Sequence, residues 1–415
     1  MSASEWLVLA SLVALYALLL GDWFHRAWVA LGLAALLVVT GTMSPEAAFR
    51  SIDWNTLGLL AGMMVFVSFL KDGGLFEWLG AQALRWSRGH PWRLLGVFYG
   101  VTGLVSSVLD NVTTILLLSP VLIQAAEELD VDPVPLVMAA VVASNLGGVA
   151  TLIGDPPNIL IGTAAGLSFA EFLKLLGPVA LIMLGLVYWA LPWLLGREIK
   201  GGAPKTVVPR DRPAVSPRLP WLLAILALML IGFLMQHVLH VAVAWVAIGG
   251  ALLAWPWAEH PWRGWMRRID WGTLGFFAGV FVLVGALEAT GLIGRVVAVL
   301  TSPGLGLWLP VVLFLGTGIF SALLDNVPLV AALIPALAEL HTRNPLFGVE
   351  LWVAVGLGAA VGGNATVIGA SANVVAQGLL FERGYRLSFG RYARFGTQVA
   401  LLTALIGVAY VGLRF

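Results

Sequence analysis

One stretch, Ser144-Asn-Leu-Gly-Gly-Val-Ala-Thr-Leu-Ile-Gly-Asp-Pro-Pro-Asn158, interrupts a long apolar run in which a helix is expected to continue. Pro156 and Pro157 carry no N–H, and their rings collide with carbonyls one turn back, so the helix breaks near Asp155. In hydrocarbon each backbone group freed by such a break costs several kcal/mol, so the break is tolerable only where it lines a polar cavity or is buried in protein. A carboxylate at such a break points to a site that holds something.

The lipid setting follows from composition. Hydrophobic residues make up 60% of the chain and charged residues 11%, with a mean hydropathy of +0.95, against roughly 25% charged in a soluble domain. Apolar runs long enough for a bilayer core recur along the chain, which predicts an all-α polytopic membrane protein. The absence of cysteine removes disulfides, thiolate metal sites and cysteine nucleophiles. The first apolar run, from Trp6, follows Glu5 without a basic region and reads as a retained helix rather than a signal peptide.

Taken in order, 6–20, 27–43 and 55–70 read as spans, and 72–92 as an interfacial amphipathic helix. Residues 93–126 are apolar except around Asp110-Asn111, with arms too short for two full spans, and predict a re-entrant hairpin. Residues 134–165 are the broken span, 175–196 a further span, and 197–218 a cytoplasmic linker.

The second half repeats the first. Arg50-Ser-Ile-Asp-Trp-Asn-Thr-Leu-Gly58 returns as Arg267-Arg-Ile-Asp-Trp-Gly-Thr-Leu-Gly275, an offset of 217. Leu109-Asp-Asn-Val112 returns as Leu324-Asp-Asn-Val327, and Gly147-Gly-Val-Ala-Thr-Leu-Ile-Gly154 as Gly362-Gly-Asn-Ala-Thr-Val-Ile-Gly369, both at 215. The chain therefore divides into a first repeat, 1–196, and a second, 219–415, with hairpin 306–340 and broken helix 349–380. Five spans per repeat is an odd number, so the second copy is inverted, as in secondary transporters. With the linker in the cytoplasm and the spans alternating, 18 of the 23 Lys and Arg fall on the cytoplasmic side, Arg26, Lys71 and six linker residues among them. This places both termini outside an inner (plasma) membrane.

The chemistry concentrates at the tips and breaks. Asp110-Asn111 and Asp325-Asn326 are expected near mid-membrane, where a carboxylate costs at least about 2.5–3.5 kcal/mol unless hydrated, paired or protonated. Ser106 and Ser321 precede each Asp by four residues, one helical turn away on the same face. With Gly154 and Gly369 they supply hard oxygens suited to Na⁺, giving two candidate sites: Ser106, Asp110, Asn111, Gly154 and Ser321, Asp325, Asn326, Gly369. The simpler role for each Asp is to cap the second hairpin arm. Thr151, Asp155 and Asn158 at the first break, Thr366 and Asn373 at the second, and the amides of Asn145 and Asn364 complete the candidate set. Asp155 has no acidic counterpart, which suggests proton or cation coupling. Asp53 and Asp270 read as caps, and the 18 Trp mainly as an aromatic belt. Beyond Na⁺ no cofactor is expected. No nucleophile–base pair, strand-linked phosphate loop or nucleic-acid surface appears, so no enzymatic role is expected.

Through Leu109-Asp-Asn-Val-Thr-Thr114, Ser144-Asn-Leu-Gly-Gly148, Gly154-Asp-Pro-Pro-Asn158 and Gly362-Gly-Asn-Ala-Thr-Val-Ile-Gly-Ala-Ser-Ala-Asn-Val374, the chain resembles the ion transporter superfamily of arsenite permeases, NhaD-type antiporters and divalent anion symporters. It is most similar to the arsenite-permease-like branch of the pink-eyed dilution (P) protein. The resemblance implies a homodimer in the bilayer, with a scaffold domain and an elevator-type transport domain, and, for an arsenical-pump type, a cytoplasmic ATPase partner. In the dicarboxylate symporters of this superfamily the tips read Ser-Asn-Thr; here they read Asp110-Asn-Val112 and Asp325-Asn-Val327. The extra charge, with no Lys or Arg expected in the site, favours arsenite/antimonite efflux or Na⁺/H⁺ exchange. The alternatives are Na⁺-coupled di- or tricarboxylate symport and, in a different class, an ion channel.

Overall fold

The computed structural model describes residues 2–21, 24–196, 198–199, 215–258, 265–292, 294, 297, 306–343 and 348–414. Among them the chain is helical and no strand occurs. Most of the 197–218 linker lies outside the described residues, as do Arg263 and Arg295.

The first repeat opens with α1 (Ala3–Gly21), α2 (Arg26–Val39), a short α3 (Pro45–Ser51) and α4 (Trp54–Asp72). The amphipathic stretch forms α5 (Leu75–Ser87). The hairpin consists of α6 (Pro91–Ser106) and α7 (Asn111–Glu128), the broken span of α8 (Pro133–Gly148) and α9 (Pro156–Ala164), and α10 (Phe169–Leu195) closes the repeat. The second repeat has α11 (Leu219–Leu239), α12 (Val243–Ala254), α13 (Trp265–Arg268) and α14 (Trp271–Ala289). Its hairpin is α15 (Leu309–Ser321) and α16 (Asn326–Arg343), its broken span α17 (Glu350–Gly363) and α18 (Ser371–Glu382), and its last span α19 (Phe389–Arg414). Five of these helices are long and apolar enough to cross a membrane on their own: α4, α10, α11, α14 and α19.

Local sequence sets the boundaries. Asp53 accepts the N–H of Asn55 and Thr56, and Asp270 that of Thr273, so both are the caps expected of them. Ser168 and Glu171 form a capping box that starts α10. The apolar run predicted as one span over 27–43 ends earlier, at Val39. Ser44 then caps α3, with Pro45 at its first position.

The repeats are interleaved. α2 packs on α14 of the other repeat, and α12 on α4. At the closest points Gly279 meets the backbone of Ala30 and Gly62 that of Ala247, positions related by the 217 offset. Within each repeat the first hairpin arm lies along the broken helix, α6 on α8 and α15 on α17. There a Cβ on Gly147 would sit 2.1 Å from the Gly103 carbonyl oxygen, and one on Gly362 2.0 Å from that of Gly318. Only glycine allows this backbone approach, and it occurs twice. The second arms cross over: α7 packs on α18, and α16 on α9.

Helix ends assigned to one membrane face by the sequence meet in space. Arg391 pairs with Asp132 at 3.0 Å and Glu198 at 2.7 Å, Arg268 with Asp72 at 2.6 Å, and Arg218 donates to the Ala258 carbonyl at 2.8 Å. α8 and α17 are buried along their length, whereas Trp28, Trp189, Trp193 and Trp245 stand exposed on the periphery, as a lipid-facing belt requires. Trp352, at 3% exposure, is an exception.

Gly147→Val should force the two backbones apart. We expect a loss of about 3 kcal/mol or more, above the usual range for overpacking because the obstacle is backbone, read as a lower melting temperature in detergent. Gly185→Ala, where an added Cβ meets nothing within 4 Å, should melt near or above the wild type.

Candidate functional site

The two broken helices and two hairpin tips meet at the centre. In each break the chain leaves helical geometry after α8 or α17, and one asparagine amide crosses the gap. Asn158 Nδ2 donates to the carbonyls of Gly148 (2.8 Å) and Thr151 (2.9 Å). Asn373 Nδ2 donates to those of Gly363 (2.7 Å) and Thr366 (2.8 Å). Carbonyls freed by the break are thereby satisfied without water.

Thr151 Oγ donates to the Ser107 carbonyl and Thr366 Oγ to that of Ala322, each at 2.5 Å, tying hairpin to break. Gly154 and Gly369 lie against the carbonyls of Ser106 and Ser321, where a Cβ would come within 2.7 and 2.8 Å. The helical register inferred for Ser106 and Ser321 does not extend to the acidic residues, because α6 ends at Ser106 and α15 at Ser321. The two serines turn to the broken helices instead. Ser144 Oγ donates to Ser106 Oγ at 3.0 Å, and Ser321 Oγ donates to the Ala359 carbonyl at 2.7 Å.

The tips are alike in sequence and unlike in surroundings. Asp110 Oδ1 caps α7 by accepting the Thr113 N–H at 2.9 Å. Asp325 Oδ1 accepts from the Val327 N–H at 3.0 Å, and its Oδ2 from Ser371 Oγ at 2.7 Å. Capping therefore accounts for one oxygen of each carboxylate. Asn111 Nδ2 donates to Asn145 Oδ1 at 3.2 Å, whereas Asn326 Nδ2 donates to Asp155 Oδ2 at 3.2 Å. The difference lies in α8 and its break: Asn145 and Asp155 correspond to Ala360 and Ala370 in the second repeat. Asn145 Nδ2 also faces Asn364 Oδ1 (3.1 Å) and Asn373 Oδ1 (2.9 Å), so the repeats are joined by a chain of buried amides.

Asp110, Asn111, Asp155 and Asn326 line one cavity of about 310 Å³. Asp155 is 3% exposed and Asn111 2%, and Asn111 Oδ1 has no hydrogen-bond donor. A buried acceptor without a donor, beside a buried carboxylate, is the arrangement a cation or proton completes. The expectation that no Lys or Arg lies in the site is overturned, because Arg26, Lys71 and Arg268 line the same cavity. Charge counting assigns Arg26 only a membrane side and no role in the site. It heads α2 and reaches Ser371 Oγ (3.1 Å) and Thr273 Oγ (2.7 Å). Its signal in the sequence is that the second repeat has Val243 at the equivalent position. Ser371, Thr273 and Ser144 are likewise polar residues that sequence reasoning left out of the site. Asp325 lies on a second cavity of about 420 Å³, whose wall it shares with Arg26 and Ser371.

An interleaved pair of repeats, with two re-entrant tips facing two broken helices at a polar cavity, defines a membrane transporter. The chain belongs to the citrate transporter family, whose profile matches residues 16–354 and 304–414. An uncharacterized transporter of Mycobacterium tuberculosis is 36% identical over 417 residues, 97% of each chain. The P protein of Homo sapiens is 29% identical over 97% of this chain and 59% of its own length. Among solved structures, the YdaH transporter of Alcanivorax borkumensis superposes with a TM-score of 0.60 at 16% identity, over 91% of this chain and 87% of that one. MtrF of Neisseria gonorrhoeae, described as one of a class of antimetabolite efflux pumps, superposes with a TM-score of 0.60 at 15% identity, over 91% of this chain and 84% of that one. These two likenesses concern the fold.

Asn373→Ala should strand two buried carbonyls. Each costs about 1–3 kcal/mol, so a clear fall in melting temperature is expected. Asn373→Asp, whose carboxylate offers no donor to those carbonyls, should not restore it.

Proposed function

We propose that this protein is a secondary active transporter that couples movement of a small inorganic ion to H⁺ or Na⁺, with Asp155 as the coupling carboxylate. The observation that carries the reading is the buried Asp155, held by Asn326 from the opposite repeat and sharing its cavity with Asp110 and the donorless Asn111 Oδ1. The residues fit a Na⁺ ion, because all are hard oxygens. Asp110, Asn111 and Asp155 would hold it, and its charge would offset the paired carboxylates. A proton on Asp155 would do the same, so the two ions compete for one place.

Arsenite/antimonite efflux and Na⁺/H⁺ exchange both fit this site. A second reading, Na⁺-coupled uptake of an organic anion, gains support from Arg26, Lys71 and Arg268 on the cavity wall, opposite in charge to a carboxylate substrate. The channel reading loses support, because Asn145, Asn364 and Asn373 at the crossing are buried and bonded to one another rather than lining an open filter. Elevator movement of the tips and breaks against the interleaved α2, α4, α12 and α14, a homodimer, and an inner-membrane location with both termini outside belong to the same proposal. A partner ATPase belongs to it only in the arsenical-pump version.

The test uses proteoliposomes with a trapped pH dye, an acidic lumen and clamped voltage. External Na⁺ or Li⁺ should alkalinise the lumen, and Asp155→Asn or Asp110→Asn should reduce the rate at least about 100-fold, the scale of removing an essential proton-transfer group. A dye that stays silent with Na⁺ and Li⁺ but responds to arsenite or succinate would move the substrate assignment accordingly. A dye silent to all four would contradict proton coupling.

A further inference from the structure

The two tips carry the same Asp-Asn-Val triplet, yet their local charge differs. At the second tip Asp325 Oδ2 accepts from Ser371 Oγ at 2.7 Å, and the same hydroxyl oxygen accepts from Arg26 Nη1 at 3.1 Å. These two bonds keep guanidinium and carboxylate within roughly 6 Å, in reach of direct charge–charge attraction. Arg26 is fixed from its far side as well. Its Nη2 donates to Thr273 Oγ at 2.7 Å, and that hydroxyl donates to Asp270 Oδ2 at 2.5 Å. The guanidinium also lies 5.7 Å from the Phe276 ring centre. A continuous chain, Asp270–Thr273–Arg26–Ser371–Asp325, thus runs from the cap of α14 to the second tip.

The first tip has no such chain. The positions equivalent to Arg26 and Ser371 are Val243 and Pro156. Among the described residues Asp110 forms no ion pair. Of the other cations on its cavity, Lys71 is exposed and Arg268 pairs with Asp72. The first tip instead shares its cavity with Asp155, where the second repeat has Ala370. Arg26 and Asp270 stand on the wall of that cavity too, but only the second tip is bonded to the guanidinium, through Ser371.

We propose that Arg26 is a resident cation at the second hairpin tip: through Ser371 it takes the place an exchangeable cation would hold beside Asp325, leaving one exchangeable site, at Asp110 and Asp155. The inference rests on the reading that the tips bind a coupling cation. Unlike an exchangeable ion, this counter-charge is covalently part of the chain. It also explains why an exact sequence repeat at the tips need not give two equivalent ion sites. Arg26 is a positioning and specificity residue here, acting on Asp325 through the serine.

The test follows tryptophan-detected melting of the full chain in detergent, with NaCl replacing choline chloride at constant ionic strength. Each site that binds only the folded state adds one unit of slope to stability against log concentration. Wild type should show the slope of one site, abolished by Asp155→Asn. Arg26→Met should roughly double the slope, Arg26→Lys should keep the wild-type slope, and Arg26→Met with Asp325→Asn should return to the one-site slope. If Arg26→Met fails to fold, Arg26→Gln removes the charge while keeping a donor for Ser371. A neutral variant with the wild-type slope overturns the inference while leaving the first-tip site intact. A wild type without any Na⁺ response contradicts Na⁺ coupling. In that case a slope gained in Arg26→Met that depends on Asp325 still supports the resident cation, and flat curves in both overturn it.

Discussion

A helix that stops in mid-membrane must find partners for the carbonyls it releases, and here one asparagine amide in each repeat takes two of them. Asn158 and Asn373 carry out the same bonding at equivalent positions, with all four distances between 2.7 and 2.9 Å. The hairpin depends on this clamp. Thr151 and Thr366 reach from the break to a tip carbonyl, and the glycine contacts of α6 on α8 and α15 on α17 leave no room for the two to slide. Break and hairpin in each repeat therefore form one packed unit, and the polar tips are held where lipid alone would expel them.

On this symmetric scaffold the two repeats depart from each other at the polar centre. α8 and its break carry Ser144, Asn145 and Asp155 where α17 and its break have Ala359, Ala360 and Ala370. Asn145 joins the repeats through Asn364 and Asn373, while Asp155 receives the amide of the opposite tip. Arg26, Ser371 and Thr273 answer from the other side. Net charge is thus uneven across a site whose backbone is nearly two-fold. An inverted repeat supplies two alternative packings for alternating access; unequal charges would make one site the carrier of the coupling ion.

Much of this was legible in the sequence, because the signals were covalent or periodic. Pro156 and Pro157 end a helix wherever they occur, and the hairpins follow from apolar arms around Asp-Asn. The 215 and 217 offsets reveal the duplication, and the resemblance to the P protein branch is matched by the relatives found. What sequence could not show was which donor meets which acceptor. Asn158 and Asn373 were read as ligands, and the fold occupies their amides with backbone. Ser106 and Ser321 were placed on the acidic face by helical spacing, but the helix ends at each serine. Arg26 was counted only as a charge on one membrane side because α1 and α2 look like a simple pair of spans. Only the packing of α2 against α14 brings it to Ser371. The amide and serine contacts lie within one repeat and that of Arg26 crosses between repeats, but all join residues that one-dimensional periodicity does not pair.

The central claim is that a cation and a proton compete for Asp155 at the crossing of tip and break. The most direct measurement is proton release from purified protein in weakly buffered detergent solution on addition of Na⁺ or Li⁺, with choline as control. The account predicts saturable release from the wild type, approaching one proton per chain, and none from Asp155→Asn. Equal release from the variant, or none from a wild type that still transports, would contradict it.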